Sequence, residues 1–270
     1  MVPPRMRLPR SSLPALAAAT ALAALGACGS SRVSITGEVK YGKSAEDDYK
    51  AGLEEMKGSS WPEATRFFEH CRTKYPFSKY AALAELRLAD IKYQDDRFLE
   101  ASEAYATFAR MHPTHEDADY AAFREALSLL RDAPTDFFAF PPAYERELKS
   151  AREGVTKMEA FLAKWPSSKH KPEALKLLEQ ARGQLADHEW FVARFYAKRS
   201  RWAGVAGRCE TLLARYPGSK HEIDALFALA DAYARLEDRF KARQALQQLI
   251  VKHPDDPRRA QAEKLLARLR

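Results

Sequence analysis

The 270-residue chain carries 44 lysines and arginines against 37 acids, a formal charge of +7, with 46% hydrophobic residues and three cysteines. Three cysteines without a CxxC pair exclude a zinc module or a dense disulfide framework. No run of five lysines or arginines and no aromatic-basic interleaving marks a nucleic-acid surface, so no nucleic-acid partner is expected and the charge reads as a solvated exterior.

At the amino end, Arg5, Arg7 and Arg10 precede an acid-free run of mostly Ala and Leu from Leu13 to Leu25. That is the layout of a secretory signal peptide. The run is shorter than the roughly 20 residues that cross a hydrocarbon core as a helix. It closes on "LAALGACGS", where Leu25, Gly26, Ala27 and Cys28 read as a lipobox. Residues 1–27 are therefore expected to be removed and Cys28 to be acylated, holding the chain on a membrane by several acyl chains. Gly29 stands where an Asp would favour retention in the inner membrane, so the outer membrane is the expected destination. Loss of the leader takes three arginines and lowers the formal charge to +4. Residues 28–43, with Gly29, Ser30, Ser31, Gly37 and Gly42, read as a flexible tether.

From residue 44 to 270, few glycines, much Ala, Leu, Glu, Lys and Arg, and no alternating pattern predict an all-α fold. Prolines preceded by an aromatic residue or His recur at Pro76, Pro113, Pro166, Pro217 and Pro254, with gaps of 37, 53, 51 and 37. Counting back from them reveals a repeat. Twelve residues earlier stand Ala64, Ala101, Gly154, Val205 and Ala242; eight earlier, Phe68, Tyr105, Met158, Cys209 and Leu246; five earlier, Cys71, Phe108, Phe161, Leu212 and Leu249. A small residue followed at four and seven by larger apolar ones is one helix face, the small one admitting a neighbouring helix. Gly52, Ala89, Ala193 and Ala230 sit 24 before their prolines and mark a preceding helix, with Tyr196 and Tyr233 three residues on in two of them. Small, bulky, small, bulky, proline is the tetratricopeptide pattern, and about five such helix pairs stack into a superhelix with a concave face.

The stretch "RDAPTDFFAFPPAYERE", residues 131–147, interrupts the periodicity. It predicts a loop over 132–143 between N-terminal repeats at 44–131 and C-terminal repeats at 144–270, flanked by helices at about 115–131 and 144–164. Cys71 and Cys209 fall on apolar helix faces and read as buried thiols. No catalytic motif is present, and no cofactor or enzymatic activity is expected. His112, His115 and Asp119 can be drawn as a metal cluster, but a helix-capping turn explains them more simply, with Thr114 as N-cap and Asp117 in capping-box position.

Over residues 41–254, "KYPFSKY", "HPTHEDADY", "DFFAF" and "EWFVARFYAKRSRWAGVAGRCETLLARYPGSKHEIDAL" follow in that order. Together they resemble the BamD family of outer-membrane assembly lipoproteins. The resemblance implies a non-enzymatic subunit of the machine that folds β-barrel proteins into the outer membrane, lipid-anchored on its periplasmic face. C-terminal repeats would bind a POTRA domain of BamA, and N-terminal repeats would receive C-terminal signals of unfolded barrel proteins. In the run Arg208, Cys209, Glu210, the family pattern implicates Arg208 in the BamA contact; internal pairing with Glu189 or Glu210 is the alternative. The peptide groove is placed around Tyr75, Phe77 and Tyr80. The stretch after the FF pair departs from the family, with Leu148 where a proline would fall. A tetratricopeptide scaffold lipoprotein of the Tol-Pal or cell-division system is the rival reading, although no heptad run precedes the repeats.

Overall fold

The computed structural model describes residues 40–134 and 147–269. Among these are eleven α-helices and no strand: α1 (Ala45–Lys57), α2 (Trp61–Lys74), α3 (Lys79–Gln94), α4 (Phe98–Met111), α5 (Ala118–Asp132), α6 (Lys149–Lys164), α7 (Lys171–Ala197), α8 (Trp202–Arg215), α9 (Glu222–Arg235), α10 (Arg239–Lys252) and α11 (Arg259–Arg268). Helices adjacent in sequence are adjacent in space, forming five antiparallel pairs from α1–α2 to α9–α10, with α11 covering the last pair. This is the tetratricopeptide superhelix expected from the sequence.

The repeat positions are where the core forms. Ala64, Phe68 and Cys71 in α2, Ala101, Tyr105 and Phe108 in α4, Met158 and Phe161 in α6, Val205, Cys209 and Leu212 in α8, and Ala242, Leu246 and Leu249 in α10 are all buried. The small residues act as predicted: a Cβ at Gly52 of α1 would lie 2.7 Å from the Phe68 ring, so only glycine lets α1 and α2 approach this closely. Cys71 and Cys209 are buried and unbridged.

Each second helix ends in the same way. Tyr75, His112, Trp165, Tyr216 and His253 precede the five prolines, and all have φ between −124° and −128° with ψ between 53° and 66°. The proline ring disfavours the helical region for the residue before it, so the break is built into the sequence. The turn that follows is also shared. Two bonds, each spanning three residues, run in succession, as in Ser78 N–H to Tyr75 O and Ala81 N–H to Ser78 O. In four of the five turns the side chain two residues after the proline also accepts an N–H two further on: Ser78 from Tyr80, His115 from Asp117, Ser168 from His170, Asp256 from Arg258; Ser219 in the turn after Pro217 makes no such bond.

That turn corrects the predicted start of α5. Thr114 is not an N-cap and Asp117 is not part of a capping box; residues 113–117 form the turn, His115 Nδ1 accepts the Asp117 N–H at 3.0 Å, and α5 starts at Ala118. The connections inside four of the pairs share another feature. Ser59, Asp96, Ser200 and Glu237 adopt positive φ of 54–63°, each 17 residues before its proline. The third pair has no counterpart, because residues 133–148 connect α5 to α6. Residues 135–146, most of the predicted loop, lie outside the described residues, and α6 starts at Lys149 instead of 144.

The other long gap is resolved as helix. At 27 residues, α7 is about twice the length of the 14-residue α9. Its first half places Ala174, Leu178, Ala181 and Leu185 in the core shared with α5 and α6. Its last turns place Ala193 in the core of the C-terminal pairs.

Candidate functional interfaces

Cys28 and most of the predicted tether lie outside the described residues, and no described helix is long and apolar enough to cross a membrane. Tyr75, Phe77 and Tyr80 sit on the turn between α2 and α3. Tyr75 and Tyr80 are half-buried against the first core, Tyr80 with its ring 5.6 Å from that of Tyr49. Phe77 alone is fully exposed. The three therefore share a turn and do not converge as the lining of one groove. A cleft of about 1080 Å³ runs along α7 past Glu179, Arg182 and Gln184 to Tyr216 and Lys220. Another, of about 410 Å³, lies beside Tyr41, Arg66 and His70.

Arg208, on α8, has an internal partner. Its Nη1 donates to Glu189 Oε2 at 3.0 Å, and Arg152 Nη2 approaches the other oxygen at 3.9 Å. The Glu189 side chain is 5% exposed and that of Arg208 39%. The carboxylate on α7 thus ties α6 to α8, and Arg208 spans between a buried partner and solvent. Glu210 faces a different neighbour, accepting the Tyr233 hydroxyl. Burial, reinforced by that bond to a carboxylate, pushes the Tyr233 phenol up to about 12.

The histidines do not assemble a metal site: among the described residues no cluster of His, Cys, Asp or Glu has that arrangement. His112 Nε2 lies 2.9 Å from Glu85, His115 makes its turn bond, and Asp119 accepts from Ser168 at 2.6 Å, so the three are committed in three directions. Burial pushes the Cys71 thiol up to about 11 and the Cys209 thiol up to about 12, so neither is a thiolate nucleophile near neutrality.

Two further features have no motif in the sequence. One is a polar centre between the second and third pairs, built around Asp90 of α3. Its Oδ1 accepts the hydroxyls of Tyr105 at 2.5 Å and Tyr120 at 2.8 Å, and its Oδ2 pairs with Arg87 at 2.6 Å. The Arg124 guanidinium stacks 3.7 Å from the Tyr93 ring and donates to the Tyr105 hydroxyl. Burial raises both phenols well above their ordinary range, with the Asp90 charge adding to it. A buried carboxylate held by three direct partners is suited to locking two repeats in register.

The second is charge polarity. Residues 44–132 hold 12 lysines and arginines against 18 acids, a formal −6, whereas residues 149–270 hold 25 against 15, a formal +10. The signal was available in the sequence and is diluted only when the chain is averaged as a whole.

Comparison with known proteins gives this architecture a family. A family model described as "YfiO: Outer membrane lipoprotein" matches residues 42–249. The chain is similar to the outer membrane protein assembly factor BamD of Xylella fastidiosa, 28% identical over 75% of this chain and 70% of that one. It is also similar to BamD of Neisseria meningitidis serogroup B, 26% identical over 87% of this chain and 89% of that one. Among solved structures, the TPR2AB domain of yeast Sti1 aligns over 83% of this chain and 82% of its own, at 13% identity and a TM-score of 0.40.

Proposed function

The chain belongs to the YfiO family of outer membrane lipoproteins, and from that premise we propose that it is a non-enzymatic subunit of the machinery that assembles β-barrel proteins in the outer membrane. The observation that carries the reading is the extent of the match: residues 42–249 take in nearly the whole repeat array, from before α1 into α10. An array of stacked helix pairs offers extended surface for partners, which suits a scaffold subunit.

In this reading Cys28 is acylated and holds the domain on the periplasmic face of the outer membrane. Arg208 contacts a POTRA domain of the BamA-type barrel subunit through the part of its guanidinium that Glu189 leaves in solvent; charge-assisted, fork-shaped bonding suits such a contact. Unfolded barrel proteins dock at the α2–α3 turn, where Phe77 is the accessible ring and Tyr75 and Tyr80 are its packed flank.

Affinity capture from detergent-solubilised envelopes tests the assignment. Recovery of barrel-assembly subunits supports it; recovery of Tol-Pal or division proteins in their place overturns it. Arg208→Ala is expected to lose the POTRA-bearing subunit, whereas Glu189→Gln, which breaks the internal pair and keeps the arginine, is expected to retain it. Cys28→Ala should leave the outer-membrane fraction. Photocrosslinking from position 77 should capture barrel peptides ending in an aromatic residue and spare scrambled ones.

A further inference from the structure

The turns inside the last two helix pairs meet at one edge of the superhelix, where the Arg235 guanidinium lies 4.2 Å from the Trp202 ring. The first turn closes the stretch "RFYAKRSRW", residues 194–202, which has four cations and no acid. Phe195 is exposed there with Arg199 stacked at 3.5 Å from its ring. The second turn carries Glu237 and Asp238 and then adds Arg239, Lys241 and Arg243, with Leu236 and Phe240 exposed and Phe240 at 71%. Asp231 is taken up by Arg235 and Asp238 by Lys241. Among the described residues no acid pairs with Lys198, Arg199, Arg201 or Arg239. The corresponding turn of the second pair is the reverse, with Asp95, Asp96 and Glu100 around Arg97.

We propose that this edge docks on an anionic phospholipid surface, its cations on headgroup phosphates and Phe195, Leu236 and Phe240 inserted at the headgroup–acyl boundary. The arrangement matches the physics of interfacial binding, in which clustered Lys and Arg supply attraction and a few large apolar side chains supply depth. Arginine stems lying on aromatic faces keep their charged ends at the polar level while the ring goes deeper. The apolar residues stand out singly from the tips of helical hairpins. Side chains at a fluid interface need no facing groove, whereas a docked peptide does. The inference goes beyond the assembly role and does not rest on it.

Residues 41–270 form a compact unit by themselves, so the test uses that unit, free of any acyl chain, in flotation with vesicles. It is expected to rise with vesicles containing phosphatidylglycerol, to stay behind with pure phosphatidylcholine, and to be released by high salt. Trp202 emission should shift to the blue on binding. The triple substitution Arg199→Gln, Arg201→Gln, Arg239→Gln should lower partitioning about fivefold per charge removed, and the corresponding triple lysine variant should keep most of it. Phe240→Ala should weaken binding without changing its salt dependence. The proposal is overturned by equal flotation with neutral vesicles, by a glutamine triple variant that floats like the parent, or by capture on poly-glutamate with no flotation, which would make the edge a site for an acidic protein.

Discussion

The N-terminal and C-terminal halves of the superhelix use the same device with different partners. Among the described residues each has two buried carboxylates, Asp48 and Asp90 in the first half, Glu189 and Glu222 in the second. In the first half neutral donors and a histidine share the work with one arginine: Asp48 accepts the Gly42 N–H at 2.6 Å and lies 2.7 Å from His70, and Asp90 takes two tyrosine hydroxyls beside Arg87. In the second half long cations close the site: Glu189 faces Arg208 and Arg152, and Glu222 takes Lys252 at 3.3 Å with the Gly218 N–H. Short, sheltered donors make a joint indifferent to salt. Half-exposed arginines make one that leaves charge available to a partner, at the expense of screening.

The sharpest way to break this contrast is Asp90→Ala. It strands the buried Tyr105 hydroxyl and the half-buried Arg87 and Tyr120, and is expected to cost about 3–5 kcal/mol in urea denaturation. The loss should appear first as faster amide exchange in α3–α5, since a repeat array opens locally. Arg208→Ala leaves Glu189 facing only the more distant Arg152 and should cost less, about 1–3 kcal/mol, because the arginine is partly in water. High salt should shrink the difference between Arg208→Ala and the parent and leave that of Asp90→Ala unchanged; equal salt response would erase the distinction.

Alkali probes the tyrosines. The folded phenols of Tyr105, Tyr120 and Tyr233 are raised, chiefly by burial, so the unfolded chain releases these protons first. Their contribution is intact below the ordinary tyrosine pKa of about 10 and is lost as pH rises through the folded values, for Tyr233 through about 12. Stability should fall over that interval, and Tyr233→Phe should flatten part of the fall; an unchanged slope would remove Tyr233 from the account. The smallest expected effect is a gain. Glu237 holds a left-handed φ of 63°, which costs a non-glycine residue energy, so Glu237→Gly should stabilise by up to about 1 kcal/mol in thermal melts. Gly52→Ala, pressed against Phe68, should do the opposite.

How much of this was legible follows from what repeats in kind. Positions 12, 8 and 5 before each proline have to be apolar or small, so residue type betrays them and the structure buries them. The left-handed position 17 before the proline is filled by Ser, Asp, Ser and Glu, none of which announces it. The turn acceptor is Ser, His, Ser or Asp, which is how His115 came to resemble a metal ligand. For Arg208 the sequence offered two acids, and helix phase decides: Glu210, two residues on, points away to Tyr233, while Glu189 comes across from α7. Phe77 stands beside Tyr75 and Tyr80 in the sequence, and proximity along the chain does not separate a packed ring from an exposed one.

The 27-residue α7 is about 40 Å long, and its two ends are bolted into different cores. It is therefore a beam with no joint at the point where the array changes character. Rotating one end by a few degrees displaces the other by a few ångströms, so a load applied at the carboxyl-terminal pairs is felt at α5 and α6 as a shear across Leu178 and Leu185.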